Sequence, residues 1–193
     1  MGTATESVEL VDDETVGNIV RAAVFAALMG AFSYVAFPFP LSPAPVTLQV
    51  LGVFLAGILL GPAWGPVAMV LYLVAGALGA PVFSMGAAGV GVLVSDSAGY
   101  LFSFPVAAAV IGLLTHGGVS VTDATSRHPL RLVGAMAAGV VVIYAFGVVG
   151  LMIVLSLAPW EAFVMGALVF LPAEAAKMAA ALGILRADRL AAV

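Results

Sequence analysis

After its first seventeen residues the chain is a series of long apolar stretches, separated by short clusters of proline, glycine and polar residues. The stretches cover residues 18–37, 47–60, 63–79, 99–115, 130–157 and 160–185. Each boundary has a local cause. The run Pro38-Phe39-Pro40-Leu41-Ser42-Pro43-Ala44-Pro45 cannot be helical, because proline removes backbone donors and restricts its neighbours. Gly61-Pro62 marks a turn, residues 80–98 are rich in glycine, and a polar link covers residues 116–129. Pro159 opens the last stretch. At roughly 20 residues per crossing, the pattern predicts an all-α bundle of six transmembrane helices. A long glycine-rich outer loop joins the third to the fourth. Residues 1–17 read as an acidic tail, 18–187 as the membrane domain and 188–193 as a C-terminal tail.

Composition turns this pattern into a class. Hydrophobic residues make up 64% of the 193 and charged residues 8%, with a mean hydropathy of +1.24. A soluble domain carries about 25% charged residues, so this surface faces lipid and the chain is a multi-pass membrane protein. The absence of cysteine excludes disulfides, thiolate-bound iron–sulfur clusters and a cysteine nucleophile. No Walker A sequence is present, since Lys177 is followed by Met178, so the chain does not hydrolyse ATP in that way. No nucleic-acid partner is expected, and no internal repeat supports an inverted-repeat transporter.

Charge placement gives an orientation. Glu6, Glu9, Asp12, Asp13 and Glu14 precede the apolar part, the opposite of a basic signal-peptide start, and read as a solvated segment. Arg21, Arg127, Arg131, Arg186 and Arg189 all fall on one side of a six-span arrangement. The positive-inside rule makes that side, with both termini, cytoplasmic. A five-span count would divide the arginines between the two sides.

The candidate chemistry centres on Glu174 and Lys177 in the last stretch. A charge at bilayer depth costs about 2.5–3.5 kcal/mol on insertion scales, so such residues face the bundle interior with a partner. Their i,i+3 spacing puts them on one helical face. A pair of this kind either cancels itself and aids packing, or is held ready for a polar ligand; the second reading explains its burial. Asp96, in the glycine-rich segment, is either a further ligand contact or a cap for the following helix. Gln49 offers an amide next to Thr47, a candidate helix cap. In the first stretch Ala22/Ala26 and Ala23/Ala27/Ala31 recur at four-residue spacing, which lets membrane helices approach closely. The face serves either internal packing or docking of another membrane subunit. His116 and His128 show no metal-ligand spacing and read as solvated, and no metal is expected.

Together these residues resemble a known family. Pro45-Val46-Thr47-Leu48-Gln49, Leu51-Gly52-Val53-Phe54-Leu55-Ala56-Gly57, Leu59-Leu60-Gly61-Pro62, Leu71-Tyr72-Leu73, Pro81-Val82-Phe83, Gly99-Tyr100-Leu101 and Pro172-x-Glu174-x-x-Lys177 are similar, in order, to the biotin transporter BioY family. The resemblance spans roughly residues 21–185. It implies a six-helix substrate-capture (S) component of an energy-coupling factor transporter, not an enzyme. Its expected partners are a transmembrane coupling subunit and two ATP-binding-cassette ATPases. Biotin is then cargo, and no cofactor is implied. Glu174 and Lys177 match the acid and lysine of the family's biotin pocket, where aspartate is the commoner acid. Phe83, Met85 and Tyr100 would line the pocket, Gln49 and Asp96 are further candidate contacts, and Ala22, Ala23, Ala26 and Ala27 correspond to the docking face. The alternatives are an S component for another vitamin, an intramembrane enzyme using Glu174 as acid–base catalyst, and a structural or channel subunit.

Overall fold

The computed structural model describes residues 12–191; Glu6 and Glu9 of the acidic segment lie outside them. Helix α1 spans Asp13–Tyr34. It starts earlier than the apolar pattern indicates, because the Asp12 carboxylate accepts the Thr15 amide at 3.2 Å and Asp13 and Glu14 occupy the first turn. Acids there satisfy free amides and favour the positive end of the helix dipole. Residues 13–17 are thus the first turn of the first helix. Beyond α1, the strands β1 (Ala36–Phe37) and β2 (Val46–Thr47) pair antiparallel, with Ala36 opposite Thr47. The proline-rich link is the loop between them.

Helix α2 covers Gln49–Ala77 but is broken at Gly61, where φ is 78° and ψ −174°. Glycine tolerates that backbone, and Pro62 after it offers no amide to bridge the break. The two arms, 49–60 and 62–77, fold back on each other. Gln49 Nε2 donates to the Tyr72 hydroxyl at 2.6 Å, whereas 23 residues of straight helix would separate them by about 34 Å. Helix α3 (Ala98–His116) packs into this hairpin: a Cβ on Gly112 would lie 2.5 Å from the nitrogen of Pro62. Between α2 and α3, residues 78–97 form two short 3-10 turns, Ser84–Gly86 and Val90–Val94. Hydrogen bonds from Tyr34 to the Pro81 carbonyl (2.6 Å) and from Gly89 to the Gly76 carbonyl (2.8 Å) tie that segment down.

The expectation of solvated histidines is corrected for His116, which is buried. Its Nδ1 accepts the Thr122 amide at 3.1 Å, so Nε2 carries the proton and donates to the Ile58 carbonyl at 3.1 Å. It joins the hairpin to the link that follows α3. His128 does lie exposed, with its Nδ1 accepting the Leu130 amide at the start of α4 (Pro129–Leu155).

The last apolar stretch is not one helix. Helix α5 (Pro159–Gly166) ends at Ala167, a 3-10 turn covers Leu168–Phe170, and α6 runs from Leu171 to Ala191. Residues 188–191, assigned to a tail from the sequence, therefore continue the helix.

Among the described residues, five helical stretches are long and apolar enough to cross a bilayer: Asp13–Tyr34, Gln49–Ala77, Ala98–His116, Pro129–Leu155 and Pro159–Ala187. Met29, Phe54, Tyr72, Ile111, Met136 and Ile143 are fully buried between them. Val24, Val74, Phe102, Val141 and Ile153 point outward, exposed. Such an apolar exterior is what a lipid-facing surface requires.

Candidate functional site

At one end of the bundle a cavity of about 380 Å³ opens beneath the proline-rich loop and the glycine-rich segment, within the roughly 300–1,000 Å³ range of small-molecule sites. All seven residues singled out from the sequence as ligand candidates line it: Gln49, Phe83, Met85, Asp96, Tyr100, Glu174 and Lys177.

The break before α6 positions the charged pair. It sets Glu174 in the first turn of α6, where the helix dipole favours an anion. Lys177 Nζ donates to Glu174 Oε1 at 2.7 Å, with side-chain exposures of 7% for the lysine and 3% for the glutamate. The Tyr144 hydroxyl donates to the same oxygen at 2.9 Å. Glu174 Oε2 is buried and has no hydrogen-bond partner among the described residues. Ser84 Oγ, which also lines the cavity, is in the same condition. The cavity thus combines a largely apolar wall with a few polar atoms free to bond a guest.

The other candidates have narrower roles than their residue types allow. Gln49 spends most of its amide inside the protein, accepting from Thr47 Oγ1 at 3.0 Å and donating to Tyr72. Thr47 Oγ1 also accepts the backbone N–H of Gln49 at 3.2 Å, a bond at the start of α2. Tyr100 donates its hydroxyl to the Gly166 carbonyl at 2.7 Å, so it presents mainly its ring. Phe83 is fully buried, packed edge-on against Tyr72 at 5.5 Å, on a floor where Gly76 leaves no room for a Cβ. Met85 is 65% exposed at the mouth and holds a positive φ of 59°. Asp96 is half-buried and does not cap α3: its contact is with the Ser97 hydroxyl at 3.5 Å, and no side chain caps that helix.

The docking set divides. Ala22 is fully buried against the core and Ala26 is half-buried, while Ala23, Ala27 and Ala31 form an exposed row. Helical geometry rotates positions 22 and 26 about 100° from 23 and 27, so Ala22 is corrected to an internal packing residue.

Cavity residues not singled out from the sequence include Ser84, Phe104, Tyr144 and Phe170. Tyr144 did carry a signal, as the sole hydroxyl, amide or charge between Leu132 and Leu155. Phe170 stacks on it at 6.1 Å, and Phe39 of the proline-rich loop rests on Phe170 at 6.0 Å. No group of three metal-ligating side chains occurs among the described residues.

Known proteins resemble this chain in sequence and in fold. The biotin transporter BioY of Rhizobium etli is 36% identical over 175 residues, covering 86% of this chain and 90% of the relative. The biotin transporter BioY of Thermotoga maritima is 37% identical over 131 residues, covering 68% of this chain and 72% of the relative. The crystal structure of the S component for biotin from an ECF-type ABC transporter superposes with a TM-score of 0.82 over 93% of this chain and 94% of that one; at 22% identity it establishes the shared fold. The BioY family profile matches residues 4–192. With nearly its whole length matched by that profile, the chain belongs to the BioY family.

Proposed function

We propose that the chain is the substrate-capture component of an energy-coupling factor transporter and that its ligand is biotin. The observation that carries this reading is the buried Glu174–Lys177 pair, with one carboxylate oxygen unbonded, at the wall of an otherwise greasy cavity. A ureido ring offers two N–H donors and one carbonyl. Glu174 Oε2 accepts an N–H, and the remaining ammonium protons of Lys177 serve the carbonyl. The thioether ring and aliphatic chain pack on Phe83, Tyr100, Phe104 and Phe170. The names of the relatives support the same ligand.

In this reading the two arms of α2 are separate crossings, giving six. The arms measure about 18 and 24 Å, short of the roughly 30 Å hydrocarbon core. The β2 residues Val46 and Thr47, just before the first arm, extend it as non-helical backbone, which is tolerated where it is buried in protein or lines a cavity. Arg21, Arg127, Arg131 and Arg186 then share the cytoplasmic side with both termini, and the cavity faces outward. Import requires a transmembrane coupling subunit and two ATP-binding-cassette ATPases, since the chain has no P-loop of its own; the exposed Ala23/Ala27/Ala31 row is the docking face. The chain performs no chemistry on its cargo.

Mass spectrometry of a denatured extract of the purified protein should release biotin, and the emptied protein should bind it saturably without displacement by other vitamins. Absence of saturable biotin binding would overturn the assignment.

A further inference from the structure

The protein treats the two oxygens of Glu174 unequally. Oε1 receives both Lys177 (2.7 Å) and Tyr144 (2.9 Å), and Oε2 receives no hydrogen bond among the described residues. A carboxylate presents about four lone-pair sites, so the protein fills those on Oε1 and leaves those on Oε2 to the cavity. Lys177 alone does not impose this choice. It lies on the same helix as Glu174, on a flexible stem, and an ammonium is a point charge that serves either oxygen. The terminal torsion of a glutamate is broad and roughly two-fold.

Tyr144 breaks that symmetry from another helix. Its ring stacks on Phe170 with an interplanar angle of 17° and meets Tyr100 edge-on at 6.3 Å. Tyr100 is in turn held by its bond to the Gly166 carbonyl, at the break between α5 and α6. The direction of the Tyr144 hydroxyl is thereby set by α3, α4 and that break together.

We infer that Tyr144 is a positioning residue for ligand capture: by pinning Oε1, it presents Oε2 of Glu174 to an N–H of the ligand. The choice of ligand rests on the reading given under Proposed function. Tyr144→Phe keeps the ring and its stacking, so it removes the hydroxyl bond with little disturbance of packing.

The test is a double-mutant cycle of biotin titrations in detergent with the wild type, Tyr144→Phe, Glu174→Gln and the double variant. With Glu174 in place, loss of the hydroxyl raises Kd roughly tenfold, the scale of one hydrogen bond to a charged group. In the Glu174→Gln background it changes Kd by less than about twofold, because the two residues act as one unit. Equal losses in both backgrounds, or no loss in either, would overturn the inference. Should Glu174→Gln bind too weakly to titrate, infrared difference spectra of the ligand-free proteins decide. The carboxylate bands that vanish in Glu174→Gln shift in Tyr144→Phe if the bond orients the group, and unchanged bands overturn it. Failure of the wild type itself to bind biotin would instead overturn the ligand assignment, and the infrared comparison would still decide whether Tyr144 holds Glu174.

Discussion

Replacing Lys177 with methionine keeps most of the side-chain volume and deletes the charge that meets Glu174. At 2.7 Å and an effective dielectric of about 20, the attraction lost is roughly 6 kcal/mol before desolvation is subtracted. The lysine itself no longer has to be desolvated, which returns part of that figure. The Tyr144 bond to Glu174 survives. Breaking a buried pair by removing one partner costs about 3–5 kcal/mol, because an uncompensated charge is left behind. For a chain of this size that corresponds to a fall in Tm on the order of 10 °C. The second change, Glu174→Gln, removes the stranded charge, so the double variant should recover most of the lost stability. Neither variant should bind biotin. The assay is thermal unfolding in detergent, followed by tryptophan fluorescence, beside a biotin titration. If the double variant melts no higher than Lys177→Met, the stranded-charge account is wrong. If Lys177→Met binds biotin with unchanged affinity, the site assignment fails with it.

Three further predictions concern other walls of the molecule. Ser84→Ala removes a buried hydroxyl with no partner among the described residues, so the ligand-free protein should melt at the same temperature or higher, while biotin affinity falls by about two- to tenfold, one neutral hydrogen bond; an unchanged Kd would remove Ser84 from the site. Gly61→Ala forces a side chain into φ 78° and ψ −174°, a strain of roughly 1–3 kcal/mol, with its Cβ 2.5 Å from the Val121 side chain. A lowered Tm in detergent is the expected result, and an unchanged one would show that the hairpin does not need glycine there. Ala27→Trp, on the exposed row of α1, should leave biotin binding in detergent intact and abolish uptake by cells that supply the coupling subunits. Full uptake would move the docking face elsewhere.

Much of the site was legible in the order of residues. Two opposite charges three apart in a lipid-depth stretch must face inward together, and the glycines and prolines flanking the cavity mark where the backbone leaves the helix. Other features had no local signature. Tyr144 gains its role only because α4 carries it across to α6, 30 residues away in the chain. His116 looks like a loop histidine until the Gly61 reversal brings the Ile58 carbonyl to its ring. The two alanine rows of α1 share one spacing, and only the packing of α2 against one of them decides which is buried. The interruption at residues 167–170 has no local signature, since neither glycine nor proline lies inside it.

Membrane residence, approximate helix limits and the acid–amine pairing were determined by the sequence alone, because hydrophobicity, backbone restriction and i,i+3 proximity act over a few neighbouring residues. Which oxygen of Glu174 remains open, which hydroxyls are spent and which helix face meets lipid were decided by tertiary structure. Those depend on groups distant in the chain that meet only when the helices have packed, and hydrogen-bond capacity is shared out at that point.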